Sequence, residues 1–144
     1  CMGVGVPFAI GSKVAYPDRQ VVLISGDGAV GMNLMEFESA VRHNIPFLCI
    51  VCNDKSWGMT KHQHWLNYGK ENTPAGHEMP FIKFHEIVKS MGGYGELVED
   101  PKDLIPAIER SIKSGLPSLI NVLTNPDATS AATHAITAMM TPKE

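Results

Sequence analysis

The 144-residue sequence predicts an α/β fold in which a doubly wound parallel sheet is flanked by helices, and two observations carry that expectation. Four short apolar runs rich in β-branched residues recur along the chain, and segments of helical period separate them. The runs are continuous rather than alternating, the pattern of strands buried on both faces of a parallel sheet.

In chain order, a helix is expected from Val4 to Ala15, where Val4, Phe8 and Ile10 stand among small Gly and Ala residues. Gln20 to Ser25 reads as the first strand. A second helix, Asn33 to His43, repeats Leu34, Phe37, Ala40 and Val41, and Phe47 to Asn53 is the second strand. Asp54 to Pro80 breaks this rhythm. It is rich in His, Asn, Gly and Pro, and reads as one long connection lying over a site. The alternation resumes with a helix from Phe81 to Met91, carrying Ile82, Phe84, Ile87 and Val88, and a strand from Tyr94 to Val98. The last helix has Pro101 near its first turn, Leu104, Ile108 and Ile112 along one face, and Gly115 as its stop. Ser118 to Thr124 is the fourth strand. Residues 125–144 form a tail whose Ala, Thr and Met content fits a short helix. Met139, Met140 and either Met32 or Met35 are expected to be packing groups.

Composition narrows the function classes. With 44% hydrophobic and 19% charged residues the chain is globular rather than disordered. Its length suits one domain able to bury roughly two thirds of its unfolded surface. A net charge of −3 and a pI near 6.1, without any basic run, exclude a nucleic-acid partner. The longest apolar stretches, Val21 to Ile24 and Phe47 to Cys52, fall far short of the ~20 residues of a membrane-spanning helix. The chain starts at Cys1 with neither an initiator Met nor a charged-then-apolar leader, so it reads as beginning mid-protein, incomplete at its N-terminus. Cys1, Cys49 and Cys52 make an odd count, which fits a reducing, cytoplasmic setting. Cys49 and Cys52 spell C-x-x-C inside a strand, where residues three apart point to opposite faces. They read as buried core thiols rather than a redox or zinc pair.

Chemistry is sought after the strands, because doubly wound sheets bind ligands beyond the carboxyl ends of their strands. Gly26-Asp27-Gly28-Ala29-Val30-Gly31 follows the first strand. Glycines flanking one acid let the backbone approach a bulky anion, and the helix beyond offers free N–H groups. An acid aimed at phosphate is repulsive unless a cation intervenes, which makes Asp27 a hard-oxygen ligand for Mg²⁺. The second strand ends in Asn53-Asp54-Lys55-Ser56, bringing a second carboxylate to a neighbouring tip. Two acids, one cation and one phosphate group close the charge balance. Alone, Gly-Asp-Gly reads equally as a structural turn. Neither Gly-Lys-Ser/Thr nor a completed G-x-G-x-x-G is present, so the P-loop and dinucleotide fingerprints are excluded.

The combination resembles the thiamine diphosphate enzymes. Their signature matches Ile10-Gly11, Pro17 and Val22-x-Ile24-x-Gly26-Asp27-Gly28-Ala29, and their metal motif runs from that Gly-Asp-Gly to an Asn-Asn pair, here Asn53-Asp54. Cys1-Met2-Gly3-Val4-Gly5 is similar to the family's G-x-M-G-x-G entry, and Asn53 to Met59 to its metal-binding loop. The resemblance covers about residues 1–124 and points to the C-terminal, diphosphate-binding domain of the group containing acetolactate synthase, benzaldehyde lyase and the acyl-CoA lyases and decarboxylases.

Carried over residue by residue, it implies Mg²⁺ held by the Asp27 and Asp54 side chains and the Ser56 carbonyl. Backbone groups of Gly26, Gly28, Ala29, Trp57 and Gly58 hold the diphosphate. Met2 props the cofactor into its bent conformer, and Met59 faces substrate. The chain departs from the family at Asp54, where Asn is usual, and at Ala29, which lacks a phosphate-binding hydroxyl. Gln63 stands where standard acetolactate synthases carry Trp, with Trp65 nearby, which counts against acetolactate synthesis itself. His62 and His64 lie in the long connection, open to a metal-binding or substrate-facing role, whereas His43 and His85 read as solvated or capping residues.

No residue here matches the family's cofactor-activating Glu, which comes from a pyrimidine-binding domain of the same or another subunit. The resemblance thus implies one domain, residues 1–144 with 1–124 as its core, of a lyase or transferase (carboligase or decarboxylase) acting on a 2-oxo acid or 2-hydroxyacyl substrate. A homodimer or homotetramer is implied when complete, and the isolated chain is expected to be inactive. Two other readings remain: a subunit of a split decarboxylase, and a non-catalytic module that binds the cofactor and supports oligomerisation.

Overall fold

A computed structural model describes residues 1–72 and 75–140. The chain divides into two compact units, Cys1–Asn53 with Lys83–Thr124, and Asp54–Ile82 with Asn125–Glu144. In chain order the elements are α1 (Gly5–Ala15), β1 (Val22–Gly26), α2 (Asp27–Gly31), α3 (Glu36–Arg42), β2 (Leu48–Asn53), α4 (Gly58–Tyr68), α5 (Phe84–Ser90), β3 (Tyr94–Val98), α6 (Leu104–Ser114), β4 (Ser118–Leu123) and α7 (Ala131–Met140).

The first unit holds the whole sheet. Its four strands are parallel in the order β1-β2-β4-β3, as the continuous apolar runs predict. Register pairs Gly26 with Cys52, Leu48 with Ser118 and Tyr94 with Ser118, so the carboxyl ends of β1 and β2 are level. Strand alternation sends Leu48, Ile50, Ile120 and Val122 to one face, where they meet Leu104, Ala107 and Ile108 of α6. On the opposite face α5 packs so tightly on β3 that a Cβ at Gly95 would lie 2.0 Å from the His85 carbonyl oxygen, which restricts that strand position to glycine. Phe37 of α3 packs against Phe47, ahead of β2, with the rings tilted by 36° and their centroids 4.9 Å apart. Helix α6 begins after a 3-10 turn capped by the Asp100 carboxylate, which accepts from Lys102 N–H at 3.0 Å, and stops at left-handed Gly115.

The structure departs from expectation at several points. Asp54 to Pro80 is not one loop: it contains α4 and a 3-10 turn at Lys70–Asn72. Helix α4 buries Lys61 and His62 rather than an apolar stripe, so hydrophobic periodicity could not announce it. Residues 73–74 of that segment and 141–144 of the tail lie outside the described residues. The tail does form a helix, α7, which packs on α4 within the second unit. In α1 the buried positions are Val6 and Ala9 while Phe8 is exposed, and in β1 Val22 and Ile24 are exposed, so cover on both faces holds for β2 and β4 but not for β1. Helix α3 is shorter than expected because Asn33, Leu34 and Met35 form turns, their carbonyls accepting from the N–H groups three residues on, at Glu36, Phe37 and Glu38; Asp27–Gly31 ahead of them is a separate turn of helix. Cys49 is buried, with its thiol pushed up to about 12 by desolvation and then by Cys52, whereas Cys52 is exposed rather than a core thiol. Met32, Met35 and Met139 are exposed, not packed, and nothing is described of the Met140 side chain. Among the described residues no helix is long and apolar enough to cross a membrane.

His85 also differs from the solvated or capping residue expected of it. It is buried, its Nδ1 accepting from Asn121 Nδ2 at 3.4 Å, and Asn121 Oδ1 accepts in turn from Asn53 Nδ2 at 3.0 Å, across the end of the sheet. Desolvation, reinforced by Lys89 and Lys83 and opposed by Glu86, holds the imidazole below its ordinary pKa of 6.5. The unfolded chain therefore takes up the proton more readily. The stabilisation is complete above pH 6.5 and is lost as pH falls through the lowered native value. The urea midpoint should drop between pH 7 and pH 5, and drop less in His85→Asn, whose amide oxygen can replace Nδ1 but does not titrate. Equal drops would remove His85 from the pH response.

Candidate functional site

In the first unit, Gly26 closes β1 in an extended conformation (φ −79°, ψ 160°) and Asp27 opens α2 immediately after it. A Cβ added at Gly26 meets nothing within 4 Å, so the backbone there borders open space. Asp27 is only 3% exposed, and its Oδ1 accepts from the Gly28 N–H at 2.8 Å. Ala29 follows in the same turn. Met2 is exposed at the start of the chain, and the next residue is fixed because Asn33 Nδ2 donates to the Gly3 carbonyl at 2.8 Å. At the neighbouring tip, Asn53 is buried and its carbonyl accepts from Thr124 N–H at 3.0 Å, continuing the ladder past β4.

In the second unit, Asp54 to Ser56 folds into a tight turn with Lys55 in the left-handed region at φ 59°. The turn is held by the Asp54 carboxylate itself: Oδ1 accepts from Ser56 N–H at 3.0 Å and Oδ2 from the Ser56 hydroxyl at 2.8 Å. Residues 77–79 brace it, with Trp57 N–H donating to the His77 carbonyl and Met79 N–H to the Lys55 carbonyl, each at 2.8 Å. Helix α4 starts at Gly58, where a Cβ would lie 2.5 Å from Asp54 Oδ2. A side chain there would press on the carboxylate that Ser56 holds. Lys61, one turn further on and 4% exposed, places Nζ 3.9 Å from Asp54 Oδ2 and 5.1 Å from the centroid of the Trp65 ring. Asp54, Lys55, Lys61, Glu78, Met79 and Pro126 line a cleft of about 270 Å³, several times the roughly 30 Å³ that a liquid water occupies. Met59 is exposed and borders a smaller hollow, about 70 Å³, between α4 and α7, together with Gln63, Ser130 and Thr133.

The structure thus groups Gly26, Asp27, Gly28 and Ala29 at one strand end, and Asp54, Ser56 and Gly58 in one turn. His62 and His64 do not converge. The first is buried with Nε2 against the Pro126 carbonyl at 2.9 Å, and the second has Nε2 against the Asn72 carbonyl at 3.2 Å. Sequence reasoning missed Lys61. It lies in a segment without apolar period, and a lone lysine there carries no signal of burial. Among the described residues no three His, Cys, Asp or Glu side chains form a metal cage. The carboxylate of Asp54 and the carbonyl of Ser56 in the second unit's turn are hard oxygen donors, the kind that fits Mg²⁺ rather than a softer metal.

Parallel strands wound by helices, with a glycine turn beyond the first strand, define the class of open α/β domains that take ligands at strand carboxyl ends. Within that class the chain belongs to the thiamine pyrophosphate enzymes. The model of the family described as "Thiamine pyrophosphate enzyme, C-terminal TPP binding domain" matches residues 1–122. A probable acetolactate synthase of Mycobacterium bovis is 43% identical over 126 residues, 88% of this chain and 23% of that protein. A 2-hydroxyacyl-CoA lyase of Oryza sativa is 35% identical over 130 residues, 88% of this chain and 22% of that protein. The solved thiamine diphosphate-dependent 4-hydroxybenzoylformate decarboxylase of Rhodococcus jostii superposes with a TM-score of 0.80 at 29% identity, over 89% of this chain and 24% of that one. The chain therefore spans less than a quarter of the length of these relatives.

Proposed function

We propose that residues 1–144, with 1–124 as core and 125–144 as tail, are the diphosphate-binding domain of a thiamine diphosphate-dependent lyase or transferase. Its substrate is a 2-oxo acid or a 2-hydroxyacyl compound. The names of the relatives support this substrate class: a lyase of 2-hydroxyacyl-CoA and a decarboxylase of 4-hydroxybenzoylformate. The observation that carries the site is the Asp54 turn, a carboxylate fixed by Ser56 against Gly58, within the stretch the family model matches.

In this reading Mg²⁺ is held by the carboxylates of Asp27 and Asp54 and the carbonyl of Ser56. Backbone groups of Gly26, Gly28, Ala29, Trp57 and Gly58 bind the diphosphate. Met2 supports the rings of the cofactor, and Met59 faces the substrate. When bound, the cofactor supplies a nucleophilic thiazolium carbon for bond cleavage or formation beside a carbonyl. The activating Glu belongs to a pyrimidine-binding domain of the same or another subunit, in a homodimer or homotetramer. Free cysteines support a reducing compartment, the cytoplasm, for this protein.

Titration calorimetry with thiamine diphosphate and Mg²⁺, paired with turnover of 2-oxo acids and 2-hydroxyacyl thioesters, tests the reading. Tight cofactor binding and turnover are expected of the full-length protein and not of the 144-residue chain. Turnover by the chain alone would remove the need for a second domain. Cofactor binding without turnover in any complete assembly would leave a non-catalytic module.

A further inference from the structure

We propose that Lys61 is a resident cation of the metal site, and that it makes Mg²⁺ binding dependent on the diphosphate. The proposal rests on Asp54 being a metal ligand.

Lys61 is an ammonium with almost no contact with water, an expensive state unless an anion answers it. Asp54 Oδ2, 3.9 Å away, is that anion, and the Trp65 ring covers the other flank. Neither side of this pair is loosely placed. Ser56 holds the Asp54 carboxylate by two hydrogen bonds, and Gly58 admits it against the first residue of α4. A carboxylate so fixed cannot swing away from the ammonium to meet a metal elsewhere.

The consequence is a matter of charge. Beside Lys61, Asp54 is already neutralised. A divalent ion arriving alone gains the Asp27 carboxylate but finds that of Asp54 offset by an ammonium, and at about 4–5 Å that opposition is large wherever water is excluded. A diphosphate arriving with the ion reverses the balance, because its several negative charges attract metal and ammonium together. The cleft lined by Asp54, Lys55, Lys61, Glu78, Met79 and Pro126 offers both lysines to such an anion. Metal and diphosphate then bind with positive coupling, each raising the affinity for the other by the same factor. A site of this kind stays largely empty in Mg²⁺ alone and fills when the anion comes with it.

Calorimetry on the full-length protein tests this with MgCl₂ alone, and again with saturating inorganic diphosphate. In Lys61→Met, of similar length and no charge, Mg²⁺ alone should bind about tenfold more tightly, and the tightening caused by diphosphate should shrink by a similar factor. Lys61→Gln should behave alike if the methionine variant does not fold, and Lys61→Arg should keep the coupling of the parent. Unchanged Mg²⁺ affinity and unchanged coupling in the neutral variants, or weaker binding of Mg²⁺ alone, would overturn the proposal. Asp54→Ala separates the two levels of the argument. If it abolishes Mg²⁺ binding while Lys61→Met changes nothing, only the role of Lys61 fails. If it too changes nothing, the ligand assignment fails as well.

Discussion

Asp27→Ala should lower the affinity of the full-length protein for thiamine diphosphate in Mg²⁺ by about 100-fold or more, beyond what loss of an outer-shell group costs a metal site. The reasons are local. Asp27 stands at the first position after β1, where the chain leaves the sheet, and its carboxylate is nearly excluded from water. A buried carboxylate at a strand tip contributes little to folding compared with what it offers a divalent ion. Its Oδ1 accepts from the adjacent Gly28 N–H in the manner of a helix cap, a bond whose loss costs about 1 kcal/mol. The variant should therefore keep its far-UV circular dichroism and its urea midpoint within that margin while losing the cofactor in calorimetry. Undiminished affinity would take Asp27 out of the metal site.

Phe37→Ala should destabilise the protein by about 3–5 kcal/mol, the range for removing a fully buried aromatic side chain. Phe37 is 0% exposed and its ring lies on that of Phe47, itself 1% exposed, so truncation leaves a cavity between α3 and the entry to β2 as well as a lost ring pair. Phe8→Ala is the control. That ring is 69% exposed, and its loss should change stability by no more than about 0.5 kcal/mol. Urea unfolding followed by circular dichroism reads both. A Phe37 variant as stable as the Phe8 variant would contradict the packing described for α3.

The two phenylalanines also show what could be read in advance. Phe37 falls on the period that marks α3, with Leu34 and Ala40, and all three are buried. Phe8 falls on an equally good period and is exposed, because α1 approaches β1 through Gly5, set against Leu23, rather than through its largest side chain. Sequence pattern tells that a helix has an apolar face but not which of its residues the neighbour accepts. Strands were easier. Tyr94 to Val98 is observed with the bounds expected, and the other three lie within two residues of theirs, since buried parallel strands need unbroken apolar runs. Helix α4 was hidden for the converse reason: its buried positions are a lysine and a histidine, whose reasons for burial lie in Asp54 and the Pro126 carbonyl. His85 was hidden likewise, because its partner Asn121 lies 36 residues along the chain. In the site, glycines and acids at strand ends were legible because backbone chemistry fixes their spacing, whereas the ammonium beside Asp54 depends on where a helix happens to turn.

The position of β4 has a consequence for how this protein is made. β4 follows β3 in the chain yet lies between β2 and β3, so until Ser118–Leu123 has left the ribosome β3 lacks its sheet partner and β2 shows one open edge. That edge, Leu48–Asn53, is apolar and carries no lysine, glutamate or proline to discourage pairing with a neighbouring nascent chain. Synthesis therefore passes through an interval in which half a sheet waits for its centre, and chains that stop short of Ser118 leave that edge open to pairing with one another.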